Sequence, residues 1–115
     1  MATARPFDIR VESDRSDGAA VVHVAGDIDL ATSDRLREVL LPLVGRGTVV
    51  VDAAQITFCD SAGLRVILLA NHEARDRHTV FRLVAPSEPL TRVLELAGAL
   101  PLVDVFPDAG SALQG

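Results

Sequence analysis

Cys59-Asp60-Ser61 sets a thiol, a carboxylate and a hydroxyl side by side, between the run Thr48-Val49-Val50-Val51-Asp52 and the apolar segment Leu64–Ala70. A serine at such a junction has three chemical uses. As a nucleophile it needs a neighbouring base, and the three histidines, His23, His72 and His78, are scattered through the chain without an evident pairing to it. They also lack metal-ligand spacing, and His72-Glu73 is not followed by the second histidine of a zinc protease. As a helix cap, Ser61 or its neighbour Asp60 would satisfy the first free backbone N–H groups. As a phosphoacceptor, Ser61 needs only exposure and a kinase, and Gly63 would leave space for another protein to approach. The residue types alone leave the cap and the acceptor both open.

The other reactive side chains offer less. Cys59 reads as a small buried hydrophobe, and the adjacent Asp60 raises a thiol pKa instead of lowering it. Asp52, ending a β-branched run, invites comparison with the phosphorylated aspartate of a response-regulator receiver. That site needs an acid pair after the first strand and a late lysine, whereas this chain has Val11-Glu12-Ser13 and no lysine. Asp52 is instead expected to accept from backbone donors in the connection to Ser61. Asp27 and Asp29 lie in Gly26-Asp27-Ile28-Asp29-Leu30, which reads as a loop with two exposed acids serving solubility and helix entry. Neither a Gly-x-x-x-x-Gly-Lys nor a Gly-x-Gly-x-x-Gly phosphate loop is present.

Composition narrows the classes further. The chain has 115 residues, a size expected for one domain, with 49% hydrophobic and 23% charged residues, in the globular range. Only four aromatic residues occur, all Phe, so stacking on single-stranded nucleic acid is disfavoured. A net charge of −5 and the absence of a basic run argue against phosphate-backbone binding. All 11 basic residues are Arg, which excludes any mechanism needing a lysine. One cysteine cannot form an internal disulfide. With no apolar leader or membrane-length run, the expectation is a cytoplasmic protein without membrane insertion, cofactor or metal.

The elements that must hold Ser61 follow from periodicity. Phe7, Ile9 and Val11 alternate with polar residues, predicting an edge strand over Phe7–Glu12, open to pairing in a weak dimer if the chain is not a monomer. A turn at Ser13–Gly18 leads to an antiparallel partner over Ala19–Ala25. A helix is expected from about Ala31, capped by Thr32 or Ser33, with the stripe Leu36, Val39, Leu40, Leu43, Val44 and a kink or early end at Pro42. Three consecutive valines predict a strand over Thr48–Asp52 covered on both faces. Ala53–Cys59 reads as a connector to a helix that turns Leu64, Ile67 and Leu68 inward. Thr79–Val84 predicts a strand parallel to Val49–Asp52. A helix with Ser87 as N-cap, Pro89 in its first turn and Gly98 at its C-terminus comes next, then a short strand within Leu102–Phe106 and a terminal helical turn over Asp108–Gln114. The order ββαβαβα(β)α predicts an α/β domain with a mixed sheet of four to five strands, its core within about residues 6–106.

Over nearly its whole length the chain resembles the STAS domain and, within it, the bacterial anti-sigma factor antagonists. The family pattern is an apolar strand ending in Asp, then an aromatic-x-Asp-Ser-Ser/Ala-Gly-Leu turn; here these are Asp52 and Phe58-Cys59-Asp60-Ser61-Ala62-Gly63-Leu64. Gly26-Asp27-Ile28-Asp29 corresponds to the family's Gly-Glu-Leu-Asp, and Pro86, Val93-Leu94 and Gly98 match landmarks of its third helix.

The resemblance implies a non-enzymatic switch. Its unphosphorylated form would bind an anti-sigma factor that is also a serine kinase, freeing the sigma factor. Phosphorylation of Ser61 would end that binding, and a metal-dependent serine phosphatase would reverse it. Asp27, Asp29, Asp60, Ser61, Ala62 and Gly63 would form the partner surface, with Asp52 and Phe58 supporting it. Asp27 stands where the family usually has Glu, and Ala62 replaces a frequent second Ser, leaving Ser61 the sole acceptor of the turn. The alternative is a STAS scaffold subunit of a stress complex or lipid-transport system in which Ser61 is never modified; a nucleotide-handling enzyme ranks last.

Overall fold

The computed structural model describes residues 5–13 and 15–114. In chain order it contains β1 (Asp8–Glu12), β2 (Ala20–Ile28), α1 (Leu30–Val44), β3 (Val49–Cys59), α2 (Ser61–Asp76), β4 (Phe81–Val84), α3 (Glu88–Leu96), a 3-10 turn (Leu100–Leu102), β5 (Asp104–Phe106) and α4 (Ala109–Gln114). The five strands form one mixed sheet in the order β1-β2-β3-β4-β5. β1 runs antiparallel to β2, and β2 through β5 are parallel to one another. This is the α/β architecture expected from the element order, with the fifth strand present.

The consecutive valines of β3 are covered on both faces, as their lack of alternation implied. Val49 and Val51 enter a large core with Leu36, Leu40 and Val44 of α1, Val66, Ile67 and Ala70 of α2, and Leu90 and Leu94 of α3. Val50 faces the other way and packs with Val21, Val84 and Ala112 of α4. Arg82 of β4 fastens α4 to this second face by donating to the Ala112 carbonyl at 2.7 Å.

Several boundaries differ from expectation for identifiable reasons. β3 does not stop at Asp52; Ala53–Cys59 continues the strand, pairing with Ala25–Ile28 across two register shifts. Each shift gives β3 an extra residue opposite β2, so it is bulged in two places. Ala53, Ile56 and Cys59 are buried while the residues between them are exposed, a spacing of three in place of the strand period of two. β2 likewise extends through Gly26 and Asp27, which the sequence presents as loop residues. Helix α1 starts at Leu30 with Asp29 as its N-cap, in place of Thr32 or Ser33. It also continues through Pro42 to Val44; Pro42 and Glu38 are both exposed, so solvent reaches the carbonyl that the missing N–H leaves free. Ser87 caps α3 with Pro89 in the first turn, and Gly98 follows in the left-handed conformation at φ 67°, all as predicted. Ala97, the C-cap of that helix, is exposed.

Candidate functional site

Parallel strands β2 and β3 end together, Ile28 opposite Cys59, and each feeds directly into a helix. The N-termini of α1 and α2 therefore lie at the same end of the sheet, at the carboxyl ends of parallel strands, where open α/β folds place their binding sites. The Asp60 amide donates to the Ile28 carbonyl at 3.1 Å, tying the two junctions. Each helix is capped by an aspartate. Asp29 Oδ1 accepts from Ala31 N and Thr32 N at 2.9 and 3.0 Å, and the Asp29 amide donates to Thr32 Oγ1 at 2.9 Å, completing a reciprocal box. Asp60 Oδ1 accepts from Ala62 N at 2.9 Å and Gly63 N at 3.1 Å.

Ser61 is the first residue of α2 and is exposed. Because Asp60 performs the capping, nothing in the helix start depends on the Ser61 hydroxyl. Ala62 is half-buried beside it.

Gly63 differs from its expected role. It is buried and faces inward: an added Cβ would lie 2.6 Å from Ile28 Cγ2 and 2.8 Å from Cys59 Sγ. The glycine lets α2 approach the β2 and β3 ends closely; it does not open the turn to a partner.

Asp27 is also placed differently. It is a strand residue, and both carboxylate oxygens are engaged. Oδ1 accepts the Thr57 hydroxyl at 2.6 Å, and Oδ2 accepts the Arg5 amide at 3.1 Å. The Asp27 amide donates back to the Arg5 carbonyl at 3.1 Å, so the segment preceding β1 is strapped over this end of β2. Gly26 makes that crossing feasible: its φ is 88°, and a Cβ there would come within 1.9 Å of the Pro6 carbonyl oxygen.

Asp52 does not join the site. It lies seven positions before Cys59 along β3, on the order of 20 Å at ~3.3 Å per residue. It accepts from Ala54 N at 3.2 Å, a backbone donor in the expected connection, which here is strand, and its Oδ2 meets His23 Nδ1 at 3.2 Å. The other ring nitrogen of His23 meets Glu12, and this hydrogen bond is the main reason the Glu12 carboxyl sits below its ordinary pKa. His72 pairs with Asp76 one turn along α2 at 3.4 Å. Among the described residues, no group of His, Cys, Asp or Glu is arranged to hold a metal ion, and no helix is long and apolar enough to cross a membrane.

Cys59 is buried, with its Sγ 3.6 Å from the Asp60 carbonyl. Burial first and the Asp60 charge second push its thiol up to about 12. It is a packing residue here, as its position beside the apolar run suggests.

Two apolar grooves lie at the start of α2, one lined by the strand end Phe58–Cys59 just before Ser61 and one by Ser61 itself. One groove of about 360 Å³ is lined by Phe58, Cys59, Pro89 and Val93, with Glu88 and Arg92 at its rim. Another, of about 440 Å³, runs down α2 between Ser61, Leu64, Arg65, Leu68, Leu69 and His72. Phe58 is 49% exposed, and Leu30, at the start of α1, is 78% exposed. The one available signal for Leu30 was its phase: it precedes Leu36 by six residues and falls off the buried stripe of α1.

Comparison with known proteins agrees with this geometry. The family model described as "Mlab, STAS domain" matches residues 11–104. The anti-sigma-F factor antagonist RsfB of Mycobacterium tuberculosis is 30% identical over 112 residues, covering 96% of this chain and 91% of that protein. The anti-sigma-B factor antagonist of Bacillus subtilis is 25% identical over 109 residues, covering 94% of this chain and 100% of that one. A crystal structure of an anti-sigma factor antagonist from Mycobacterium paratuberculosis superposes with a TM-score of 0.82 at 25% identity, covering 99% of this chain and 97% of the other. With the strand–turn–helix unit in place and matches spanning most of its length, the chain belongs to the STAS domain family, among the anti-sigma factor antagonists.

Proposed function

We propose that the protein is a binding switch and not an enzyme. Its unphosphorylated form docks the Ser61 end of the sheet onto an anti-sigma factor with serine kinase activity and so frees a sigma factor. The kinase phosphorylates Ser61 and ends the interaction; a metal-dependent phosphatase restores it. The observation that carries this reading is the division of labour at the α2 N-terminus, where Asp60 caps the helix and Ser61 is left exposed beside two apolar grooves. Phe58, Leu30 and Leu64 supply apolar anchors, and Asp29 and Asp60 present fixed negative charge around them. Asp27 and Gly63 act from behind this surface, holding the strand ends and helix starts in register.

Phosphorylation is expected to work at the interface without refolding the domain. A phosphate adds roughly −1.5 to −2 charge. The α2 dipole favours it by about 0.3–1 kcal/mol, whereas one unit of charge at ~6 Å from Asp60 costs ~0.7 kcal/mol in water and ~3 at an effective dielectric of 20. These opposing terms are small beside the several kcal/mol that misplaced charge costs in a packed interface.

The test is intact-mass measurement after incubation with candidate anti-sigma kinases and ATP. A single phosphate is expected, and Ser61→Ala should abolish it. A cognate partner that binds tightly yet never modifies Ser61 would overturn the phosphoswitch.

A further inference from the structure

We infer that Arg65 is the counter-cation for a phosphate carried by Ser61, forming an ion pair across one turn of α2. The inference rests on the proposed reading of Ser61 as phosphoacceptor and adds how the modified state is held.

An anion at a helix start ordinarily takes the free backbone N–H groups there. In α2 those of Ala62 and Gly63 already donate to Asp60 Oδ1 and that of Asp60 to the Ile28 carbonyl at 3.1 Å, which leaves the single amide of Ser61. A phosphate on Ser61 thus meets a cap with three of its four amides taken and the negative charge of Asp60, with Asp29 at the neighbouring helix start. Its neutralisation has to come from a side chain.

Arg65 stands four residues on, the spacing that brings Cβ atoms to about 5–6 Å on one helix face. It is exposed, like Ser61, and the two line the same groove with Leu64 and Leu68. Arg65 enters no ion pair among the described residues, whereas Arg92 and Arg35 are engaged. Arg92 pairs with Glu88 at 3.3 Å, and the Arg35 guanidinium lies over the Phe7 ring at 4.9 Å. The order also suits the helix, with the anion in the first turn and the cation one turn later. In the unmodified protein Arg65 has no ion-pair partner among the described residues; in the phosphorylated one it folds back over the Leu64–Leu68 groove, so that modification alters both the charge and the apolar surface beside Ser61.

The test places phosphoserine at position 61 of the full chain during translation and follows the second phosphate ionisation by ³¹P NMR titration. Relative to Arg65, Arg65→Gln should raise that pKa by about 0.5 unit, the Coulomb effect of one charge at ~6 Å in water. Arg65→Lys should keep most of the lower value, and molar salt should shrink the difference. Identical titrations of the parent and Arg65→Gln proteins overturn the pairing. Because the phosphate is installed directly, that result is separate from the question of whether any kinase modifies Ser61.

Discussion

Gly63 and Ile28 are in contact across the junction of α2 with the strand ends, so close that a methyl group on Gly63 would lie 2.6 Å from Ile28 Cγ2. Ile28 is fully buried, and Cys59 Sγ closes the other side of the same space at 2.8 Å. Helix propensity favours Ala over Gly by up to ~1 kcal/mol, but overpacking of a rigid core costs ~1–3 kcal/mol. Gly63→Ala should therefore destabilise the protein by about 1–2 kcal/mol in chemical denaturation. A stabilised variant would show that the contact relaxes freely.

Asp60 and Ser61 separate cleanly by the same measurement. Asp60→Ala removes the acceptor for two α2 amides and should cost ~0.5–2 kcal/mol. Ser61→Ala alters an exposed residue without a capping role and should stay within about 0.5 kcal/mol of the parent. The reverse ranking would make Ser61 the cap and remove the structural basis for a freely modifiable hydroxyl.

Asp27→Ala should release the segment before β1. Loss of the Arg5 and Thr57 partners is expected to cost about 1 kcal/mol and to speed hydrogen exchange at the amides of Arg5 and Asp27. Unchanged exchange at both would show that the carboxylate does not hold the strap.

Cys59 gives a pH signature. Its thiol is pushed up to about 12 in the folded protein against an ordinary ~8.5 in the unfolded chain. Above pH ~8.5 the unfolded chain releases a proton that the folded one keeps, so stability is full below that pH and falls toward pH 12, by up to about 1.4 kcal/mol per unit. The chain has no Lys and no Tyr, so no other side-chain type ordinarily titrates there. Between pH 8.5 and 10, denaturation midpoints should drop for the parent protein and stay level for Cys59→Ala; parallel profiles would contradict the assignment.

Much of this molecule is legible in its sequence where periodicity is undisturbed. The valine run of β3, the stripe of α1 and the Ser87–Pro89 start of α3 all lie where local pattern puts them. The pattern fails at Ala53–Cys59 because two bulges change the burial period from two to three, which reads as a connector. It fails at Gly26-Asp27 because a glycine with positive φ looks like a turn until the Arg5–Phe7 segment is seen crossing it. Gly63 departs from its expected role for a related reason: the type of residue announces a close approach, but not from which side. The groove between Phe58 and Val93 depends on α3 packing beside the end of β3, a relationship between distant segments that no local signal carries.

One phosphate on Ser61 is expected to switch partner binding, and the direct measurement is the affinity of the cognate anti-sigma kinase for the unmodified and Ser61-phosphorylated proteins. Each 1.4 kcal/mol of interface repulsion is about tenfold in affinity, and several kcal/mol are expected from charge placed among Phe58, Leu64 and Asp60. Phosphorylation should weaken binding by at least about a hundredfold, with Ser61→Ala binding like the unmodified protein and Ser61→Asp weakened. Equal affinity of the two forms would contradict it.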